Sequence, residues 1–136
     1  FGTIHASSAP TTINRILDLF PPEKHNAIRQ ALANNLKAIV AQKLVKGLRK
    51  PRCPTNEIMI VNPTIRKLIA EGRDHSLSDA IKIGYLEGMI DFTENLRQLV
   101  ERGDVDRATA LEFAPDPEKL KMAFKGIKMS NVGILS

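Results

Sequence analysis

A single cysteine, no tryptophan and one tyrosine set the first limits on this chain of 136 residues. Cys53 has no partner for an internal disulfide or a multi-cysteine zinc knuckle, a usage that fits the cytoplasm. With five Phe and one Tyr as the only aromatics, a core has to be built from Ile, Leu, Val and Ala. The longest purely apolar runs are about four residues, far short of the ~20 that span a bilayer. No basic-then-apolar signal peptide opens the chain. His5, His25 and His75 lack metal-ligand spacing. No acidic pair follows an apolar strand as a Mg²⁺ site requires, and no nucleophile–base pair is identifiable. The phosphate-cradling motif G-x-x-x-x-G-K-[S/T] is absent. By itself the chain is expected to hydrolyse nothing and to hold neither nucleotide nor metal.

What is present is ordinary in amount and specific in order. Apolar residues are 43% and charged residues 26%, close to common globular usage and enough for one small domain. The net charge is +5, from 20 basic and 15 acidic residues. Such a balance suits nucleic acid or an anionic membrane surface, or a piece whose acidic complement lies elsewhere. The chain opens Phe1-Gly2-Thr3-Ile4-His5, apolar and β-favouring, with no initiator Met. That opening is expected of a piece that continues upstream.

Phe1 to Ile4 reads as the end of a strand. Ser8-Ala9-Pro10 starts a helix, Ser as cap and Pro in the first turn, with Ile13, Ile16, Leu17 and Phe20 on one face. Pro21-Pro22 ends it. Ile28, Leu32, Leu36, Ile39 and Val40 keep helical spacing through a long second helix. Val40–Val45 and Glu57–Val61 are strand-compatible and flank the turn-rich basic stretch 46–52, so a β-hairpin is expected. Asn62-Pro63 starts a helix with a buried stripe of Ile65, Leu68 and Ile69, stopped at Gly72. A further helix from Ser76 or Ser78 carries Ile81 and Tyr85, and Gly84 and Gly88 mark a break. Phe92, Leu96, Leu99 and Val100 form the next stripe, closed by Gly103. Asp106 caps a short helix with Ala110 and Phe113, and Asp116-Pro117 starts the last, with Leu120, Ala123 and Phe124. From Gly126 to Ser136 the pattern fades into a loose tail.

The run Gly2-Thr3-Ile4-His5-Ala6-Ser7-Ser8-Ala9 resembles the His box of secretion ATPases, which in one family reads G-T-L-H-T-N-S-A. Further landmarks follow in order: Phe20-Pro21-Pro22-Glu23, Ile28-Arg29-Gln30-Ala31-Leu32-Ala33, Glu57-Ile58-Met59-Ile60, then Ile65-Arg66 with Leu68-Ile69 and Glu71-Gly72, and Gly88-Met89. Together they cover residues 1–125 and resemble the C-terminal part of the PilT family of type IV pilus retraction (twitching motility) ATPases, in the secretion-ATPase superfamily. Ala6 and Ser7 stand where that family has Thr and Asn. Thr64–Glu71 is similar to its retraction motif A-I-R-N-L-I-R-E, matching at Ile65, Arg66, Leu68, Ile69 and Glu71 and departing at Thr64, Lys67 and Ala70. Related extension and secretion ATPases carry a four-cysteine zinc module where this chain has a short basic hairpin, which points to the retraction branch.

The resemblance implies an α/β RecA-like P-loop ATPase as parent. This segment would be mostly helical, holding the last sheet strands and one hairpin. Residues 1–61 would be the end of the ATPase core, 62–125 a helical subdomain and 126–136 a flexible tail. It further implies ATP and Mg as cofactors of the parent, none bound by the segment alone, and His5 close to the γ-phosphate with Thr3 behind it as catalytic support. The expected setting is a hexameric ring in the cytoplasm, peripheral to the inner membrane, with a pilus platform protein as partner. No nucleic acid and no transmembrane segment are expected. The basic run Lys43, Lys46, Arg49, Lys50 and Arg52 has little aromatic interleaving, so a solvated or partner-facing hairpin fits it better than a nucleic-acid site. The alternative from another class is a non-enzymatic helical interaction module, binding a partner or DNA.

Overall fold

The structure, a computed structural model, describes residues 1–126. Beyond Gly126 the expected loose tail lies outside the described residues. The chain forms two compact units. The first joins Phe1–Gln42 to Asn56–Asp91, and the second joins Lys43–Thr55 to the chain from Phe92 onward. One antiparallel hairpin, β1 (Ala38–Lys46) and β2 (Arg52–Ile60), gives its base to the first unit and its tip to the second.

In the first unit, α1 (Ala9–Leu17) starts where its sequence promises. Ser8 is extended and its hydroxyl accepts from Thr11 N, while the Thr11 hydroxyl accepts from Ser8 N, a reciprocal cap. The unit continues with α2 (His25–Asn35), α3 (Pro63–Ala70) and α4 (Leu77–Ile83). Asn62 caps α3 by accepting from Ile65 N at 2.9 Å. Gly72 ends α3 with φ +71°, a left-handed stop that side chains resist. Ala9, Ile13, Met59, Ile65, Ile69, Leu77 and Ile81 are fully buried in one core, with Leu68 beside them. β2 also meets the chain at Ile58, which exchanges backbone bonds of 2.8 and 3.1 Å with Ile90.

The second unit packs α5 (Phe92–Glu101), α6 (Arg107–Phe113) and α7 (Pro117–Phe124) around Val45, Leu96, Leu99, Val105, Ala110 and Leu120. Asp106 and Asp116 cap α6 and α7 through backbone N–H groups of Thr109, Glu118 and Lys119.

Four local expectations are corrected. Residues 1–6 form no strand, because a strand needs a ladder partner and β1 and β2 pair with each other. α2 stops at Asn35 rather than running to Val40. Asn34 and Asn35 are poor helix formers, and β-branched Ile39 and Val40 take up the hairpin instead. The hairpin is longer than expected, so Lys46 lies in β1 and Arg52 in β2 rather than in the loop, while Lys43 lies in β1 as expected. Tyr85 and Phe113 stand exposed, outside the buried stripes. Gly84–Glu87 tightens to a 3₁₀ turn before Gly88 at φ +92°, the expected break.

Candidate functional site

Thr3 and His5 sit together on the extended segment before α1, both exposed to solvent. They line an open trough with Asn14 and Arg15 of α1, Asp18 just after it, Lys37 and the first residues of β1. His5 makes no hydrogen bond among the described residues, whereas His25 is satisfied locally, its Nε2 lying 2.9 Å from the Phe20 carbonyl. A ring held at the mouth of a trough with both nitrogens open can donate to an anion's oxygen.

The end of α1 cannot take that anion. A helix N-terminus attracts phosphate through its free N–H groups, and here they are already used. Ala9 N donates to Glu57 Oε1 at 2.8 Å, Thr11 N to the Ser8 hydroxyl, Thr12 N to Ser8 O, and Pro10 has none. Glu57 is a buried carboxylate of β2 placed against the positive end of the helix. Any phosphate contact in this trough therefore falls to side chains. Sequence reading named Thr3 and His5; the same trough also holds Arg15 and Lys37, which it did not name and which form no ion pair among the described residues. The signal was faint. Arg15 falls between the buried Ile13 and Leu17 on the opposite side of α1, a position any solvated cation can occupy.

The retraction-motif candidates lie elsewhere in the same unit, on α3. Ile65, Leu68 and Ile69 are the buried stripe, and their side chains are accounted for by packing. Arg66 is exposed, but its Nε donates to Ala33 O at 3.1 Å, one of the last carbonyls of α2. In return, Arg29 of α2 donates to Ile69 O at 3.1 Å and Gln30 to Ala70 O at 3.0 Å, satisfying the last carbonyls of α3. Arg29 also grips Asp74 with two bonds of 2.7 and 3.0 Å, both side chains mostly buried. The two helices thus cap each other's C-termini, which favours cations there. Glu71 is exposed and only 3.5 Å from Arg73, a surface pair of little energetic weight.

The five cations of the basic run do not share one environment. Lys43 Nζ lies 4.4 Å over the Phe92 ring. Arg49 donates from Nη2 to Arg102 O at 2.9 Å, with Nε 3.7 Å from Asp104. Lys46, Lys50 and Arg52 are exposed without an ion pair among the described residues. Cys53 is half-buried nearby, and burial raises its thiol pKa, with Asp104 adding to the rise. That environment makes a poor nucleophile. Among the described residues no three His, Cys, Asp or Glu side chains converge as a metal site would need. No helix of the described residues is long and apolar enough to cross a membrane.

No family model matches the chain. Known proteins do. The chain is 38% identical over 118 residues to the type IV pilus retraction ATPase PilT of Pseudomonas aeruginosa, covering 87% of the chain and 34% of that protein. It is 31% identical over 121 residues to a twitching motility protein of Neisseria gonorrhoeae, covering 88% and 32%. Among solved structures it resembles the pilus retraction motor PilT with bound ADP, with a TM-score of 0.74 and 32% identity over 89% of the chain and 34% of that one. It also shares the fold of the Legionella pneumophila ATPase DotB, with a TM-score of 0.63 at 17% identity over 90% of the chain and 31% of that one. The chain spans about a third of the length of these relatives, and the part it matches is their C-terminal one. The architecture is that of the same segment of RecA-like secretion ATPases, mostly helical with one hairpin.

Proposed function

This chain belongs to the PilT family of pilus retraction ATPases as a C-terminal segment, and from that premise we propose that it serves in a hexameric motor that hydrolyses ATP to retract type IV pili. The observation that carries the reading is shared sequence and shared fold over nearly the whole chain, one structural relative being described with ADP. The segment contributes one wall of the nucleotide site. His5 donates a hydrogen bond to the γ-phosphate and stabilises charge as it develops there, and Thr3 steadies it from behind. Arg15 and Lys37, in the same trough, add positive potential for an anionic substrate.

ATP is the substrate, and Mg accompanies it in the parent. The residues present here do not fit a Mg²⁺ site, since no carboxylate cluster converges among the described residues. The phosphate cradle and the metal ligands belong to the two thirds of the relatives that this chain does not match. Elsewhere in the unit, the exposed Arg66 of α3 and Glu71 just after it face a moving partner. The motor works in the cytoplasm and meets the inner membrane through a pilus platform protein.

A chimera tests this. The segment of Pseudomonas aeruginosa PilT matched by this chain is replaced with the chain itself, and ring assembly, MgATP turnover and twitching are measured. A ring that hydrolyses ATP and supports twitching is expected. His5→Ala in that chimera lowers kcat by ~10- to 1000-fold with a smaller loss of nucleotide binding, as removal of one preorganised contact does. The chain alone turns over no MgATP. A folded chimera that neither assembles nor hydrolyses overturns the motor reading, and an unchanged kcat in His5→Ala returns His5 to a structural role.

A further inference from the structure

The hairpin tip places unpaired cations beside exposed leucines, with Leu44 and Lys46 on β1, Leu48 and Lys50 in the turn and Arg52 at the start of β2. Lys46, Lys50 and Arg52 are exposed and form no ion pair among the described residues. The carboxylates near them are engaged. Asp104 faces Arg49 at 3.7 Å and Arg102 at 3.5 Å, and Asp106, which feels the charge of Lys46, is held by Thr109 N at 2.7 Å. Leu44 and Leu48 stand 47% and 60% exposed among these cations. Leu44 and Lys46 share the outward face of β1, with Val45 between them turned into the core.

Backbone hydrogen bonds tie the turn down. Gly47 N donates to Pro51 O at 3.4 Å, and Leu48 N donates to Asp104 O at 2.8 Å. A Cβ on Gly47 would come within 2.3 Å of Lys50 O, so no side chain fits in the turn. Leu48 is thus exposed while its N–H is tied to the Asp104 carbonyl.

Apolar side chains beside free cations suit one environment best, the boundary between water and an anionic bilayer. Lysine and arginine take the headgroup phosphates there while leucines enter the acyl edge. A polyanion such as duplex DNA would use the cations and leave Leu44 and Leu48 in water, and the loop has no aromatic ring on which a base could stack. We propose that the hairpin tip docks on an anionic lipid surface, Lys46, Lys50 and Arg52 on headgroups and Leu44 and Leu48 at the acyl boundary. The contact requires no nucleotide and no ring, so it stands or falls apart from the motor reading.

Co-sedimentation of the whole chain with vesicles decides it. Binding is expected to vesicles of phosphatidylcholine with phosphatidylglycerol, not to phosphatidylcholine alone, and to weaken as salt rises. Changing Lys46, Lys50 and Arg52 together to Ser weakens it by ~100-fold, at about fivefold per cation. Leu48→Ser weakens it by roughly fivefold or more with the salt slope unchanged. Lys119→Ser with Lys121→Ser, exposed lysines of α7 paired with Asp116 and Glu118, changes it by less than about twofold. A melting curve on each variant confirms folding, and the single changes Lys50→Ser and Arg52→Ser replace the triple if it does not fold. The proposal fails if anionic vesicles are not bound, or if the α7 pair matters as much as the hairpin cations. It also fails if Leu48→Ser has no effect, which means adsorption by charge alone. Duplex DNA that binds more tightly than the vesicles, and strips the chain from them, assigns the tip to nucleic acid.

Discussion

The two units divide the chain's charge unevenly. The first holds eight Lys and Arg against eight Asp and Glu, a balance of zero. The described part of the second holds eleven against seven, a balance of +4, so nearly all of the +5 of the sequence belongs there. The use of charge differs as well. In the first unit Glu57, Arg29, Arg66 and Asp74 spend their polar atoms on helix ends and on each other. Ionic groups there orient α1, α2 and α3 around a core. In the second, the paired charges are local, such as Arg97 with Glu94 and Glu101 along one helix, and the hairpin cations point to water. Net charge read from composition thus says little about a whole chain. Its meaning lies in which charges the fold has already used.

The comparison is broken hardest in the cores. Ile65→Ala and Leu96→Ala remove fully buried side chains from the first and second cluster. Each should cost ~2–5 kcal/mol, measured by chemical denaturation. Amide exchange should show the lost protection concentrated in the unit that carries the change. Protection lost equally across both would mean that the two clusters act as one.

A smaller effect is expected at the mostly buried charge pair of the first unit, Arg29 with Asp74. Asp74→Ala leaves the mostly buried Arg29 guanidinium with one carbonyl partner, Ile69 O, in place of three acceptors. It should destabilise by about 1–3 kcal/mol. Its exposed counterpart in the second unit, Glu118→Ala opposite Lys121, should cost no more than about 0.5 kcal/mol. Similar losses at both sites, read from paired denaturation curves, would remove the distinction between used and solvated charge.

Arg66 is expected to fall lower again. Its one bond to Ala33 O should be worth about 1 kcal/mol, well under the loss at Leu68→Ala on the same helix. Arg66→Lys keeps the charge near the end of α2 but not the planar donor, and should recover part of the stability. If Arg66 serves the motor, Arg66→Ala in the chimera impairs twitching more than this stability loss explains. A melting shift as large as that of Leu68→Ala would make the residue structural.

Much of the fold was legible from local chemistry. Ser8, Asn62, Asp106 and Asp116 are caps in the structure as their positions before apolar periods suggested, and Gly72, Gly88 and Gly103 take the positive φ of helix stops. The errors sit where tertiary pairing decides. Leu36, Ile39 and Val40 keep a helical period across a helix–strand border that only pairing with β2 reveals. Phe1–Ile4 favour a strand with no neighbour to pair. Thr3 and His5 were named through the His-box resemblance alone, and their part in a site remains a proposal. The Glu57 carboxylate on α1 was not legible, since forty-eight positions separate it from Ala9, and neither were the mutual caps of α2 and α3. Both arise from contacts that no local pattern encodes.

The smallest expected effect on stability is the one that most sharpens the contrast between the units. Reversing Lys46, Lys50 and Arg52 to Glu should shift stability by no more than about 0.5 kcal/mol, because exposed residues outside caps and packing rarely matter more. Arg49 does not belong in that set. Its guanidinium meets the Arg102 carbonyl and Asp104, so Arg49→Glu would set a second carboxylate beside Asp104 and leave the Arg102 carbonyl without its donor. It should cost more than the other three together. The measurement is a denaturation series on the triple variant, on Arg49→Glu and on Arg49→Glu with Asp104→Asn. Relief of repulsion in the last should return part of the loss. If the triple variant unfolds while Arg49→Glu stays native, the assignment of used and unused cations is reversed, and the hairpin tip holds its shape by the charges taken here to face outward.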